Sequence, residues 1–177
     1  TDTEEKVKYK ERNEFYSDVE YVIANEFAPN CVAISRSILS THQFTPTLFI
    51  NEDLELWARI AAENPVISVD ANTAVLRVHP GNTITSEKDA ISPRIEVFKL
   101  QLATANVRAG LSDGFIKNRK RSLHEQYIRH LIKTDDNWNF IWQSVLFVLK
   151  YPSQPGNAAK VVSVLYALPG GSILKRL

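Results

Sequence analysis

The side chains of this sequence with the types and spacing for chemistry are an acidic pair, Glu52 and Asp53, and a cationic pair further along, Arg77 and His79, inside Arg77-Val78-His79-Pro80-Gly81-Asn82. A carboxylate beside a hydroxyl can act as general base, with a neighbouring carboxylate tuning its pKa or holding substrate. His79 can ligate a metal or donate to a phosphate, and Arg77 can supply fixed positive charge. Each part alone also has a plain structural explanation. Acidic residues in a first helical turn gain ~0.3–1 kcal/mol from the helix dipole, and a single histidine at a strand end is commonly just hydrogen-bonded.

The element that must position the acidic pair is a helix entered at Asn51, a plausible N-cap. Leu56, Trp57, Ile60 and Ala61 recur at helical spacing, which predicts one apolar stripe, with Glu55 and Arg59 pairing at i, i+4 on the exposed side. Asn64-Pro65 ends it. Upstream, Phe15, Val19, Val22, Ile23 and Phe27 predict a helical face from about Asn13. Cys31-Val32-Ala33-Ile34-Ser35 reads as a short buried strand and Arg36-Ser37-Ile38-Leu39 as the start of a short helix. The stretch His42 to Ile50 is a loop whose aromatics form a substrate lip or cover the core. Val66 to Val69 and Thr73 to His79 read as a β pair joined by Asp70-Ala71-Asn72. Alternation in the second places Arg77 and His79 on one face, and Pro80-Gly81-Asn82 turns the chain after them. The acidic pair would then lie at a strand-to-helix junction, where α/β proteins keep their chemistry.

After residue 86 the pattern becomes helical. Ser92 and Pro93 open a helix lined by Ile95, Phe98, Leu102 and Ala105 up to Gly110. A second spans about Ser122 to Lys133, beside the basic residues Lys117, Arg119, Lys120, Arg121, Arg129 and Lys133. A third, from Trp138 to about Tyr151, is apolar on most sides, and a last runs from about Ala158 to Leu168. The expectation is an α/β fold in two parts: residues 1–86 with few strands, then a mainly α-helical region, 87–177. The basic and aromatic content of the second part fits peripheral contact with an anionic membrane. A helical cap packed on the first part or on a partner subunit is the simpler reading.

Composition narrows the function classes. A hydrophobic fraction of 44%, a charged fraction of 23% and a net charge of +1 are those of an ordinary globular protein and give no general reason to expect nucleic acid. The single cysteine, Cys31, makes no internal disulfide and no cysteine-rich metal site, which is compatible with a reducing compartment. The charged run Thr1 to Lys6 does not read as a secretory signal, and no stretch reaches the ~18 apolar residues of a membrane span. The sequence has no methionine, which reads as a piece of a longer protein.

Taken together and in order, Pro29-Asn30-Cys31-Val32-Ala33-Ile34-Ser35-Arg36-Ser37-Ile38-Leu39, then Phe44, then Asn51-Glu52-Asp53-Leu54-Glu55-Leu56-Trp57-Ala58-Arg59-Ile60, then Val75-Leu76-Arg77-Val78-His79-Pro80-Gly81-Asn82-Thr83 resemble the C-terminal half of a family 2 glycosyltransferase of the GT-A fold. The resemblance covers roughly residues 25 to 85. It implies inverting transfer of a sugar from a nucleotide-sugar donor to a hydroxyl of a glycan or lipid-linked acceptor, usually with Mg or Mn. It makes Asp53 the base that deprotonates the acceptor and sets Glu52 beside it. It brings His79 toward the metal or the donor diphosphate and gives Trp57, Arg59, Arg77 and Asn82 substrate-side roles. It further implies polysaccharide biosynthesis in the cytoplasm, with peripheral contact at the inner membrane face. The family's strand-rich nucleotide-binding half and its Asp-x-Asp are not found before residue 30, and Asp18-Val19-Glu20 falls in a helical pattern. The expected activity therefore belongs to the full-length enzyme, and the isolated piece is expected to be inactive. The alternative from another class is a non-catalytic helical interaction or membrane-docking module.

Overall fold

A computed structural model describes residues 9–69, 71, 91–134 and 136–152. Among these residues there are helices and 3-10 turns and no β-strand. The expected α/β architecture is thus replaced by a helical one. The reason is local. Pro29–Cys31 is a 3-10 turn and Ser35 already caps the next helix, so only Val32 to Ile34 lie between them, with Ala33 exposed and no neighbouring strand among the described residues to complete a ladder. At Val66 to Val69, side chains of a helix take the place of a strand. The Val66 N–H donates to Asp18 Oδ2 at 3.1 Å and the Tyr21 hydroxyl donates to Ser68 Oγ at 3.0 Å, while Ile67 and Val69 are exposed. The second expected strand, Thr73 to His79, and the expected boundary at residue 86 lie outside the described residues.

Contacts divide the chain into two compact units, 1–116 and 117–177. The first holds α1 (Asp18–Asn25), α2 (Arg36–Thr41), α3 (Glu52–Glu63), α4 (Ile91–Ala103), α5 (Ala105–Ala109) and the start of α6 (Asp113–Lys133). Its centre is α3, which contacts α1, α4 and α5. Because it is enclosed by helices, α3 buries Leu54, Glu55, Leu56, Trp57, Ala58, Ile60 and Ala61, a wider surface than a single stripe. Around it lie Val19, Tyr21, Val22 and Ile23 of α1, Ile91, Val97 and Phe98 of α4, and Val107 of α5.

The start of α1 is set by Ser17 and Glu20. Ser17 Oγ accepts from the Glu20 N–H at 3.1 Å, the spacing of a capping box. The Glu20 carboxylate accepts from the backbone N–H groups of Tyr16 at 3.2 Å and Ser112 at 2.8 Å, and the Ser17 hydroxyl donates to the Gly110 carbonyl. The loop after α5 is thereby clamped onto α1. Gly110 is required by this approach, since a Cβ there would stand 2.7 Å from Val19 Cγ2.

The second unit contains the rest of α6 and α7 (Asn137–Lys150). Asp136 caps α7 by accepting from the Asn139 N–H at 3.3 Å. Phe140, Ser144, Phe147 and Tyr151 form its buried face. His124 of α6 meets that face edge-on at Phe147, with ring centroids 5.3 Å apart, and bonds Gln143 at 3.1 Å. Burial pulls the His124 imidazole below its ordinary range, against the upward pull of the Gln143 bond.

Candidate active site at the start of the central helix

Asn51 adopts a left-handed conformation, with φ 59° and ψ 24°. Asparagine tolerates this region better than most residues, yet it is uncommon outside glycine. The kink lets the Asn51 carbonyl accept the first helical bond from Glu55 N–H at 3.3 Å. The expected side-chain cap is not made. Instead the Asn51 amide nitrogen is buried and finds no hydrogen-bond partner among the described residues. Strain and an unsatisfied polar group at one residue are features that functional sites retain.

Glu52 and Asp53 follow at once, half-buried in the first turn of α3. Burial pushes the Asp53 carboxyl above its ordinary value of 3.8. The Leu54 N–H, donating to Asp53 Oδ1 at 2.8 Å, opposes that push, whereas the nearby carboxylates of Glu52 and Glu26 add to it. Glu26 ends α1 in a left-handed conformation and pairs with Arg94 of α4 at 3.2 Å. From the buried face of α4, the Gln101 amide donates to the Leu54 carbonyl at 3.0 Å and fixes the turn that carries Asp53. A polar residue beside Val97 and Phe98 on an apolar face was the sequence signal for Gln101, and sequence reasoning missed it.

Trp57 and Arg59, given substrate-side roles by the resemblance, are held by the protein itself. The Trp57 indole is buried, donates its N–H to the Phe27 carbonyl at 3.1 Å and meets the Phe44 ring edge-on at 6.3 Å. The Arg59 guanidinium forks onto the Glu55 carboxylate at 2.7 and 3.0 Å and reaches the Gln43 carbonyl at 2.6 Å. The expected exposed pair is thus a partly buried one, with Glu55 in the core and also accepting from the Thr45 hydroxyl at 2.9 Å. Arg59 borders a cleft of about 410 Å³ lined also by Thr41, His42, Glu63 and Asn106. There His42 lies 3.3 Å from Glu63, whose carboxylate also accepts from Asn106 at 3.2 Å. The aromatic left open near the acidic pair is Phe49, 88% exposed just ahead of Asn51.

Arg77, His79 and Asn82 lie outside the described residues, so their distance from Asp53 forms no part of the site's geometry. Among the described residues no group of three or more His, Cys, Asp or Glu side chains is arranged to hold a metal ion.

A scan against protein-family models finds no match to this sequence, and searches of curated proteins and of solved structures find none either.

Proposed function

We propose that the chain is the acceptor-side part of an inverting glycosyltransferase, in which Asp53 takes the proton from an acceptor hydroxyl as its oxygen bonds to the anomeric carbon of the donor sugar and the nucleoside diphosphate leaves with the electron pair of the broken C–O bond. The observation that carries the reading is the strained helix entrance at Asn51, which holds the half-buried Asp53 carboxyl beside Glu52, where burial raises its proton affinity. A carboxylate whose proton affinity is raised is a stronger base than a solvated one and holds the transferred proton more readily. Glu52 orients the acceptor or tunes the base. The exposed Phe49 ring offers a flat apolar surface to a sugar face, as the lip of the acceptor side.

The substrates are a nucleotide-sugar donor and a glycan or lipid-linked hydroxyl acceptor, with polysaccharide biosynthesis as the setting and the inner face of the membrane, on its cytoplasmic side, as the place. Arg77, His79 and Asn82 belong to the donor side of this reading by resemblance alone. Mg or Mn is likewise the cofactor the resemblance implies.

The test is Asp53→Asn in the full-length enzyme. The amide keeps the shape and the bond from Leu54 N–H but cannot take a proton. Transfer is expected to fall by about 10²–10⁴-fold, with nucleotide-sugar affinity nearly unchanged. Turnover within a few fold of the parent would remove Asp53 from the role.

A further inference from the structure

Helix α7 carries a second apolar face opposite its buried one. Trp138, Trp142, Val145 and Leu149 recur at helical spacing and are 83%, 61%, 42% and 72% exposed. Lys150, at its very end, is the helix's single charged residue. An exposed apolar face of this kind marks a surface that something else covers. The surrounding sequence is strongly cationic. Residues 117–177 hold ten Lys and Arg against three Asp and Glu, a formal net charge of +7, whereas residues 1–116 hold eleven against seventeen, a net charge of −6. The near-neutral total of +1 conceals this division.

We propose that the Trp138, Trp142, Val145 and Leu149 face of α7 docks on an anionic membrane surface, with the helix lying in the interface and its exposed indoles at headgroup level. The inference is independent of the chemistry at Asp53. Charge complementarity selects the partner, because each Lys or Arg near the surface adds to the attraction of anionic lipid. The two tryptophans match the residue preference of the membrane–water boundary. At 14 residues, α7 is about 21 Å long, too short for the ~30 Å hydrocarbon core. No described helix is long and apolar enough to cross a membrane, so α7 can lie on one but not span it. A second copy of the chain would bring one +7 unit against another, which opposes pairing through this face. A single-stranded nucleic acid would need cations interleaved with the aromatics on the same face. Here the companions are Val145 and Leu149.

The full chain should float with vesicles of phosphatidylcholine containing about a third phosphatidylglycerol, and not with phosphatidylcholine alone. Its tryptophan emission should shift to the blue and be quenched by brominated acyl chains, while the buried Trp57 contributes a constant background. Salt at about 0.5 M should weaken the association. Trp138→Ser combined with Trp142→Ser, both on the exposed face, should lower partition about tenfold or more. Lys117→Glu with Lys120→Glu, also exposed, should lower it by about tenfold on the anionic vesicles while leaving α7 untouched. The proposal is overturned by absence of flotation with the anionic vesicles, or by partition that the tryptophan substitutions leave unchanged. It is equally overturned if Trp138 and Trp142 are closed to acrylamide in the free chain, if those substitutions abolish a concentration-dependent dimer, or if they abolish binding to a single-stranded oligonucleotide.

Discussion

At Asp53 stability and chemistry pull in opposite directions. Burial raises its carboxyl pKa in the folded chain above the ordinary aspartate value, so the folded state binds the proton more tightly than the unfolded one. Stability contributed by this residue is therefore greatest below the ordinary value of 3.8 and declines as pH rises through the folded value. At neutral pH the ionised Asp53 is a cost to the fold. Asp53→Asn is accordingly expected to raise the midpoint of thermal unfolding at pH 7. The gain should be under about 1 kcal/mol because the site is partly solvated and screened, and it should vanish as pH falls toward 3.8. Thermal unfolding of both proteins across pH 3.5 to 7.5 makes the comparison. A loss of stability at pH 7 would mean that the carboxylate is held for structure rather than reserved for proton transfer. The helix-dipole explanation of the acidic pair leads to that second outcome, since replacing a favourable first-turn charge costs ~0.3–1 kcal/mol. The sequence displayed the pair but could not display its environment. Glu26 and Gln101 reach the turn from α1 and α4, far away along the chain.

Among the elements, the starts of α2 near Arg36 and α7 near Trp138 were legible, but their caps were not, since the sequence pattern puts Ser35 in a strand and the cap expected of Asn51 is not made. Ser35 accepts from Ile38 N–H and Asp136 from Asn139 N–H, as capping residues do. The Ser17 cap on Glu20 N–H was passed over, because the apolar pattern from Asn13 ran the first helix through it. The β-branched runs misled because their preference is for a pleated neighbour, and helix α1 supplies side-chain bonds to Val66 and Ser68 instead. The Glu55–Arg59 pair was legible in sequence and misplaced in depth, because three helices close around α3. That depth gives Arg59 a structural task. Arg59→Lys loses the fork on Glu55 and the bond to the Gln43 carbonyl, and Arg59→Ala leaves a buried carboxylate with the Thr45 hydroxyl in place of a cation. Chemical denaturation should show a loss of about 1–2 kcal/mol for the lysine variant and about 3–5 kcal/mol for the alanine variant. Unchanged stability with an altered acceptor KM in the full-length enzyme would return Arg59 to the substrate.

For the whole molecule, the charge division bears on which half of the proposed reaction the chain would serve. A nucleotide diphosphate needs concentrated positive charge, or carboxylates arranged around a divalent ion, to bind. The unit built around Asp53 is net negative by six charges, and its described residues hold no such metal cluster. A sugar acceptor is neutral and is recognised by hydrogen bonds and an aromatic face, which an acidic site with an exposed Phe49 tolerates. On that charge the unit built around Asp53 is expected to bind uridine or guanosine diphosphate weakly, with dissociation constants above about 1 mM, with or without Mg. Oligosaccharide acceptors should perturb Asn51, Glu52 and Asp53 in an amide NMR titration without nucleotide present. Micromolar nucleotide affinity that depends on Mg would place a donor site within this sequence, with His79 and Arg77 its first candidates. It would then be the acceptor-side assignment of the chain, rather than the base assignment of Asp53, that has to be withdrawn.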